Sequence, residues 1–259
     1  MGQYFEWVNL DKRELLDSSA FADGLELYET SYVGSERTGA ALTLLAGDWA
    51  HDAVVFMGDY CSPADSANLL MRRIAREYGE RGAYDQLADE FSNIAGGFAA
   101  ARGKTEWVYD DIAQDTVSRE YQGTFDLEVS DPRYLVNLTK GEYVDRRATM
   151  VWYVKRTPSY EVSRFDPTPL LLATEGALDG FEDGGCGPWL GDDVYASDTC
   201  PGEGFVDSTR KYVYTIDDDD IPVYATDRQI EAVWRRRIED YEGLSEDEID
   251  AIRALLRRC

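Results

Sequence analysis

From Tyr4 to Val8 the chain is a run of large, β-favouring side chains, and Asn9 then opens a polar turn. An Asx side chain there can bond the backbone ahead of it. Glu14 to Leu16 resumes the apolar pattern. The same rhythm returns from Tyr134 to Val136, through Asn137, to Tyr143 and Val144. Each stretch predicts a β-hairpin. The short apolar runs Leu44-Leu45-Ala46 and Leu171-Leu172-Ala173 predict buried strands, and a W-x-x-D-x-V stretch follows each of them, at Trp49 and Trp189, as a predicted edge strand.

The two patterns match in wording as well as rhythm. WVNLDKRELLD from Trp7 and LVNLTKGEYVD from Leu135 share six of eleven positions at an offset of 128: Val8/Val136, Asn9/Asn137, Leu10/Leu138, Lys12/Lys140, Glu14/Glu142 and Asp17/Asp145. The Leu-Leu-Ala runs recur at an offset of 127 and the W-x-x-D-x-V stretches at 140. The added 13 residues fall in the Gly/Asp-rich run EGALDGFEDGGCGP. Three landmarks in one order predict two related halves from an internal duplication, around a pseudo-two-fold core.

Outside the landmarks the halves diverge. Ser62-Pro63-x-Asp65 reads as a cap, a first-turn proline and a capping acid, predicting a helix over 63–78. A second helix is expected from Ala83 to Ile94, ending near Gly96-Gly97. Strands are expected at Trp107–Tyr109, Thr149–Lys155 and Lys211–Ile216. At the far end, Ile230, Val233, Trp234 and Ile238 fall on one face of a helix over 226–241. Ser245-x-x-Glu248 is a capping box for a last helix. The expected class is α+β: a mixed, mainly antiparallel core from two related halves, with inserted helices and a C-terminal helical pair. The divisions expected are 1–133, 134–221 and 222–259, packed as one compact unit.

Charge changes the picture of the surface. Among 259 residues, Asp plus Glu number 51 against 26 Lys plus Arg, a formal net charge of -25, and only five of the cations are Lys. Self-repulsion on this scale destabilises a compact state in dilute buffer. Molar salt, with a screening length of ~3 Å, relieves it. An excess of Asp with scarce Lys is the pattern of an extreme halophile. Such a surface repels phosphate backbones, so general nucleic-acid binding is not expected. The Arg72/Arg73/Arg76 and Arg235/Arg236/Arg237 groups read as helix-surface charges balancing nearby acids. No stretch approaches the ~20 apolar residues of a membrane span. No positive segment followed by an apolar run opens the chain, so synthesis in the cytoplasm is expected.

MGQYFEWVNLDKRELL, VVFMGDY, VNLTKGEYVD and PLLLATEG together resemble a family of largely uncharacterised proteins from tailed phages, bacteria, fungi and large DNA viruses. The resemblance covers roughly residues 1–60 and 134–198. Members carry MGQY, VNLDK and GDY motifs and a glycine-rich run after a Glu-Gly pair. Here that run is ALDGFEDGGCG, without the family's arginine. The resemblance implies no established activity; it implies a viral or mobile-element origin.

Candidate chemistry is sparse. His51, the single histidine, lies where the second copy has Gly191 and reads as a turn residue. Four cysteines without a C-x-x-C pair argue against structural zinc. Cys186 and Cys200 are candidates for a disulfide loop, or for two reduced small core residues. Asp52 and Asp192 are equivalent under the repeat, and Asp59 and Asp198 nearly so. A pseudo-two-fold axis would bring such carboxylates together for acid/base work or hard-cation binding, unless each simply caps a turn. Glu175, Asp179, Glu182 and Asp183 alternate with glycines and form a weak candidate cation loop. The four acids Asp217–Asp220 read as solvated surface charge. No cofactor is expected beyond a divalent cation such as calcium or magnesium.

The reading that follows is a non-enzymatic structural or interaction protein of a halophilic virus or mobile element, incorporated in the virion, with itself or viral coat components as partners. Its aromatic content, 17 Tyr and 6 Trp, suits contacts. One alternative is a carboxylate-based, cation-dependent enzyme with its site between the halves. Another is an acidic binder of a host factor.

Overall fold

The computed structural model describes residues 4–21, 30–31, 34–63, 66–79, 82–98, 129–147, 151–153, 161–163, 166–174, 185–212, 214–216 and 222–224. The class is α+β, with three four-stranded mixed sheets and a few helices. In the first sheet β1 (Phe5–Asn9) lies between β2 (Glu14–Leu16) and β3 (Val54–Gly58), both antiparallel to it. A fourth strand, β4 (Ser92–Asn93), runs parallel to β2. In the second sheet β5 (Tyr134–Asn137) lies between its hairpin partner β6 (Glu142–Asp145) and the later strand β9 (Val194–Ser197), again antiparallel. Here too a short strand, β10 (Val206–Asp207), runs parallel to the hairpin's second strand.

The registers coincide. Asn9 stands opposite Glu14 on one side and Val54 on the other; Asn137 stands opposite Glu142 and Val194. Both hairpin turns hold a residue at positive φ, Arg13 at 56° and Gly141 at 63°. So do both turns leading into the outer strand, with His51 at 71° and Gly191 at 87°.

The Leu-Leu-Ala runs are not strands. Each ends a helix, α1 (Glu36–Leu45) in one case and α4 (Thr168–Leu172) in the other. Periodicity alone does not separate a short buried strand from a buried helix segment, and here side-chain acceptors at the helix starts favour the helix. Ser35 accepts the Thr38 N–H (3.2 Å) at the start of α1, and Asp166 accepts the Thr168 N–H (2.9 Å) at the start of α4. Of the W-x-x-D-x-V stretches, only the part from valine onward is strand; W-x-x-D is a turn, and the strands lie at sheet edges as expected.

The helix expected over 63–78 is α2 (Leu69–Tyr78), capped by Asn68, whose side chain accepts from Leu70 and Met71 N–H. The next, α3 (Ala83–Glu90), stops before Phe91, because Ser92–Asn93 is taken up as β4. A third sheet joins β7 (Val151–Tyr153), β8 (Glu161–Ser163), β11 (Tyr214–Ile216) and β12 (Pro222–Tyr224). Only the end of the strand expected over 211–216 forms; Thr209–Tyr212 is a 3-10 turn. Because β12 pairs with β11, a division at 221/222 would cut a strand pair. The expected strand at Trp107–Tyr109 and both C-terminal helices lie outside the described residues.

The packing is reciprocal. Helix α1 lies against β9 of the second sheet, and α4 against β3 of the first. One apolar cluster joins them, including Trp7, Leu16, Leu45, Phe56, Leu135 and Leu172. Fully burying a side chain of this kind stabilises by roughly 1.5–3 kcal/mol. The opposite face of the first sheet carries a second cluster, where Val8, Val55 and Met57 meet α2 and α3. Strand β1, buried on both sides, sends Phe5 and Trp7 one way and Val8 the other. Among the described residues no helix is long and apolar enough to cross a membrane.

Candidate functional site

The repeated phrase makes one polar arrangement twice. In the first sheet Asn9 is fully buried; its Oδ1 accepts the N–H groups of Asp11 (3.0 Å) and Lys12 (2.9 Å), and its Nδ2 donates to Asp52 Oδ2 (2.8 Å). Lys12 reaches the same carboxylate at 3.7 Å and donates to the Asp48 carbonyl. In the second sheet Asn137, equally buried, accepts from the Lys140 N–H (2.9 Å) and donates to Asp192 Oδ2 (2.7 Å). Lys140 stands 3.3 Å from that carboxylate and donates to the Pro188 carbonyl.

The tryptophans follow the same rule. Trp49 Nε1 donates to Glu14 Oε2 at 2.7 Å. Trp189 Nε1 donates to the Tyr212 hydroxyl (2.9 Å), which in turn donates to Glu142 Oε2 (3.1 Å). Thus N-L-x-K on the hairpin and W-x-x-D before the outer strand are the two sides of one contact. A buried asparagine satisfied this way contributes, and one left unpaired costs about 1–3 kcal/mol. The recurrence of both landmarks together was a signal for this contact in the sequence. Reading the acids as possible reagents, apart from the Asn and Lys, missed it.

The four candidate acids are placed accordingly. Asp52 and Asp192 are each held by their own Asn and Lys. Asp59 Oδ1 accepts the Tyr4 N–H (3.0 Å) and Asp198 Oδ1 the Arg133 N–H (3.3 Å), each just beyond the last paired residues of its strands. The acids serve four local hydrogen-bonding sets. Among the described residues, no three His, Cys, Asp or Glu side chains gather in a way that could hold a metal ion. Glu175, Asp179, Glu182, Asp183 and the Asp217–Asp220 run lie outside the described residues.

No disulfide joins Cys186 to Cys200. Cys186 is buried against α2, where its thiol donates to the Thr174 carbonyl (2.9 Å), whereas Cys200 is exposed beyond the end of β9. His51 is half-exposed in its turn. Its N–H donates to the Val194 carbonyl (3.1 Å), its Nδ1 lies 2.8 Å from Asp193 Oδ1, and its ring meets Tyr195. It ties the first sheet's turn to the second sheet's edge. Arg73 pairs with Asp11 (2.9 Å) and Glu77 (3.3 Å), and Arg76 with Glu77 (3.2 Å), so that basic group balances neighbouring acids.

A depression of about 180 Å³ opens at the start of α1, lined by Ser35, Thr38, Asp131, Arg146 and Asp166 among others. Its one cation, Arg146, is buried and already committed. The guanidinium bonds Asp166 (Nε to Oδ2, 2.8 Å) and Asp131 (2.9 Å) and donates to the Pro132 carbonyl. Burial opposes its charge, and the two carboxylates outweigh that and hold its pKa above the ordinary arginine value. Asp166 in turn accepts from the N–H and hydroxyl of Thr168, the first residue of α4. This is a set that builds structure, with donors and acceptors consumed within it. Compared with known protein families, with curated proteins and with solved structures, the chain finds no match in any of the three.

Proposed function

We propose that this is a non-enzymatic structural or interaction protein of a halophilic virus or mobile element, carried in the virion and built by internal duplication of a hairpin-helix-strand unit. The observation that carries the reading is the fate of the acids. The carboxylates that a duplicated enzyme would aim into a shared cleft are spent on latching each hairpin to its own outer strand. Duplication is supported by the matching registers and by the Asn–Asp–Lys contact in both sheets. The net charge of -25 supports the halophilic origin, and the resemblance noted above supports the viral one.

The test is quantitative mass spectrometry of purified particles from an infected halophilic culture, set against the soluble cell fraction. Fixed, stoichiometric copies per particle are expected. Recovery from the soluble fraction alone would remove the virion reading and turn attention to basic host proteins as partners. Denaturation in graded salt tests the origin separately: stability should rise steeply from dilute buffer to molar salt, and equal stability at both ends would overturn it.

A further inference from the structure

One buried acid takes no part in the latches. Glu6 on β1 is 8% exposed and sits beside Met57 on the face that α2 and α3 cover. Trp7 stands opposite Leu16, the last residue of β2, so Asp17, the residue just beyond the strand, comes next to Glu6, whose carboxyl feels its charge. Like charges directly opposite on neighbouring strands destabilise a sheet. Asp17 is already supplied with donors, from the Ser19 N–H (2.8 Å), the Ser19 hydroxyl (2.7 Å) and Asn93 Nδ2 (3.2 Å). The groups acting on Glu6 are Asp17 from the end of β2, Arg37 from α1, and two hydrogen-bond partners, the Tyr84 hydroxyl from α3 and the backbone at Ser18. Tyr84 is in turn faced by Asp17 and by Asp59 beyond β3.

The helix that Tyr84 belongs to closes over Glu6. α3 has eight residues, and its N-cap, Gly82, supplies no side-chain bond. Isolated helices this short are marginal in water, so docking holds it. Ala83 and Leu87 are its buried residues, and Tyr84 is half-buried beside them. At the equivalent corner of the second sheet the pair is Tyr134 opposite Asp145, with Arg133 bonded to that aspartate (2.8 Å). There no second acid stands opposite the first.

We propose that Glu6 and Asp17 form a pH-sensitive latch beneath α3, in which the neutral Glu6 carboxyl lets the helix close over the first sheet and its ionisation loosens that helix, with the Tyr84 hydroxyl moderating the change. Burial, and then the facing Asp17, push the Glu6 carboxyl up to about 7 from an ordinary 4.5; the Tyr84 bond, Arg37 and the Ser18 backbone pull the other way. Because the docked value lies above the undocked one, the latch is at full strength below 4.5. It weakens as pH rises and is spent above about 7.

The test is hydrogen exchange of the full chain in constant molar salt from pH 4.5 to 9, corrected for intrinsic exchange rates. Protection of the amides from Gln86 to Phe91 should fall by close to tenfold per pH unit between about 5 and 7 and then level, as one proton per opening requires. Glu6→Gln should flatten the profile. Asp17→Asn, which removes the facing charge, should end the decline at lower pH. Tyr84→Phe, which removes a donor to the carboxylate, should extend it upward. A flat wild-type profile, or the same decline in Glu6→Gln, overturns the latch. Should Glu6→Gln fail to fold, unmoved profiles in both other variants overturn it equally.

Discussion

At one end of the first hairpin Glu6 faces Asp17; at the matching end of the second, Tyr134 faces Asp145 with Arg133 in attendance. At the other end the two hairpins are alike, with Asn, Lys and Asp joined in the same way. The difference marks what the architecture requires. The turn end must hold an outer strand against the hairpin, and one solution occurs at both places. The open end meets different neighbours, α3 in the first sheet and the Arg146–Asp166 set in the second, and its residues follow those neighbours.

Four sets of variants break or sharpen this comparison. Arg146→Ala should cost most, about 3–5 kcal/mol in chemical denaturation, because it strands the Asp166 carboxylate in the core. A loss under 1 kcal/mol would mean that the ion pair only decorates that corner. Asn9→Ala and Asn137→Ala should each cost about 2–3 kcal/mol, and by similar amounts, since each leaves an aspartate and a turn N–H without their partner. Clearly unequal losses would break the equivalence of the two latches. Trp49→Phe and Trp189→Phe should each cost about 1–2 kcal/mol. The second should be the milder if Tyr212 can still bond Glu142. Smallest is the turn pair. Gly191→Ala places a Cβ 3.1 Å from Leu70 Cβ at φ +87° and should cost roughly 1–2 kcal/mol. His51→Gly relieves φ 71° while losing the Asp193 contact and should lie within about 0.5 kcal/mol of wild type.

Much of the scaffold was legible because it rests on local rules. Both hairpins sit where alternation and the Asn turns put them, and both outer strands begin at the valine of W-x-x-D-x-V. The Leu-Leu-Ala runs misled because both leucines of each are buried side by side, and two or three apolar positions in a row are too short to show the period that separates strand from helix. Strands β4 and β10, two residues each, carry no pattern to read and exist through their parallel pairing with distant hairpins. The equivalence of Asp52 and Asp192 was legible, but their chemistry was not, since it turns on which buried group each one meets. Glu6 escaped notice for the same reason. Only the folded hairpin, which brings the residue after β2 beside it, reveals that another acid acts on it.

The crossed roofing of the sheets, α1 over β9 and α4 over β3, also fixes an order of events during synthesis. The outer edge of β3 is closed by Ala173 and Thr174, more than a hundred residues later in the chain. At about 5–20 residues per second, a nascent first sheet waits on the order of ten seconds for that cover. Throughout that wait its edge strand Val54–Gly58 is an open template for any other strand nearby. The growing chain is therefore most exposed to mispairing in mid-translation, and a ribosome stalled before residue 174 would leave the aggregation-prone species behind.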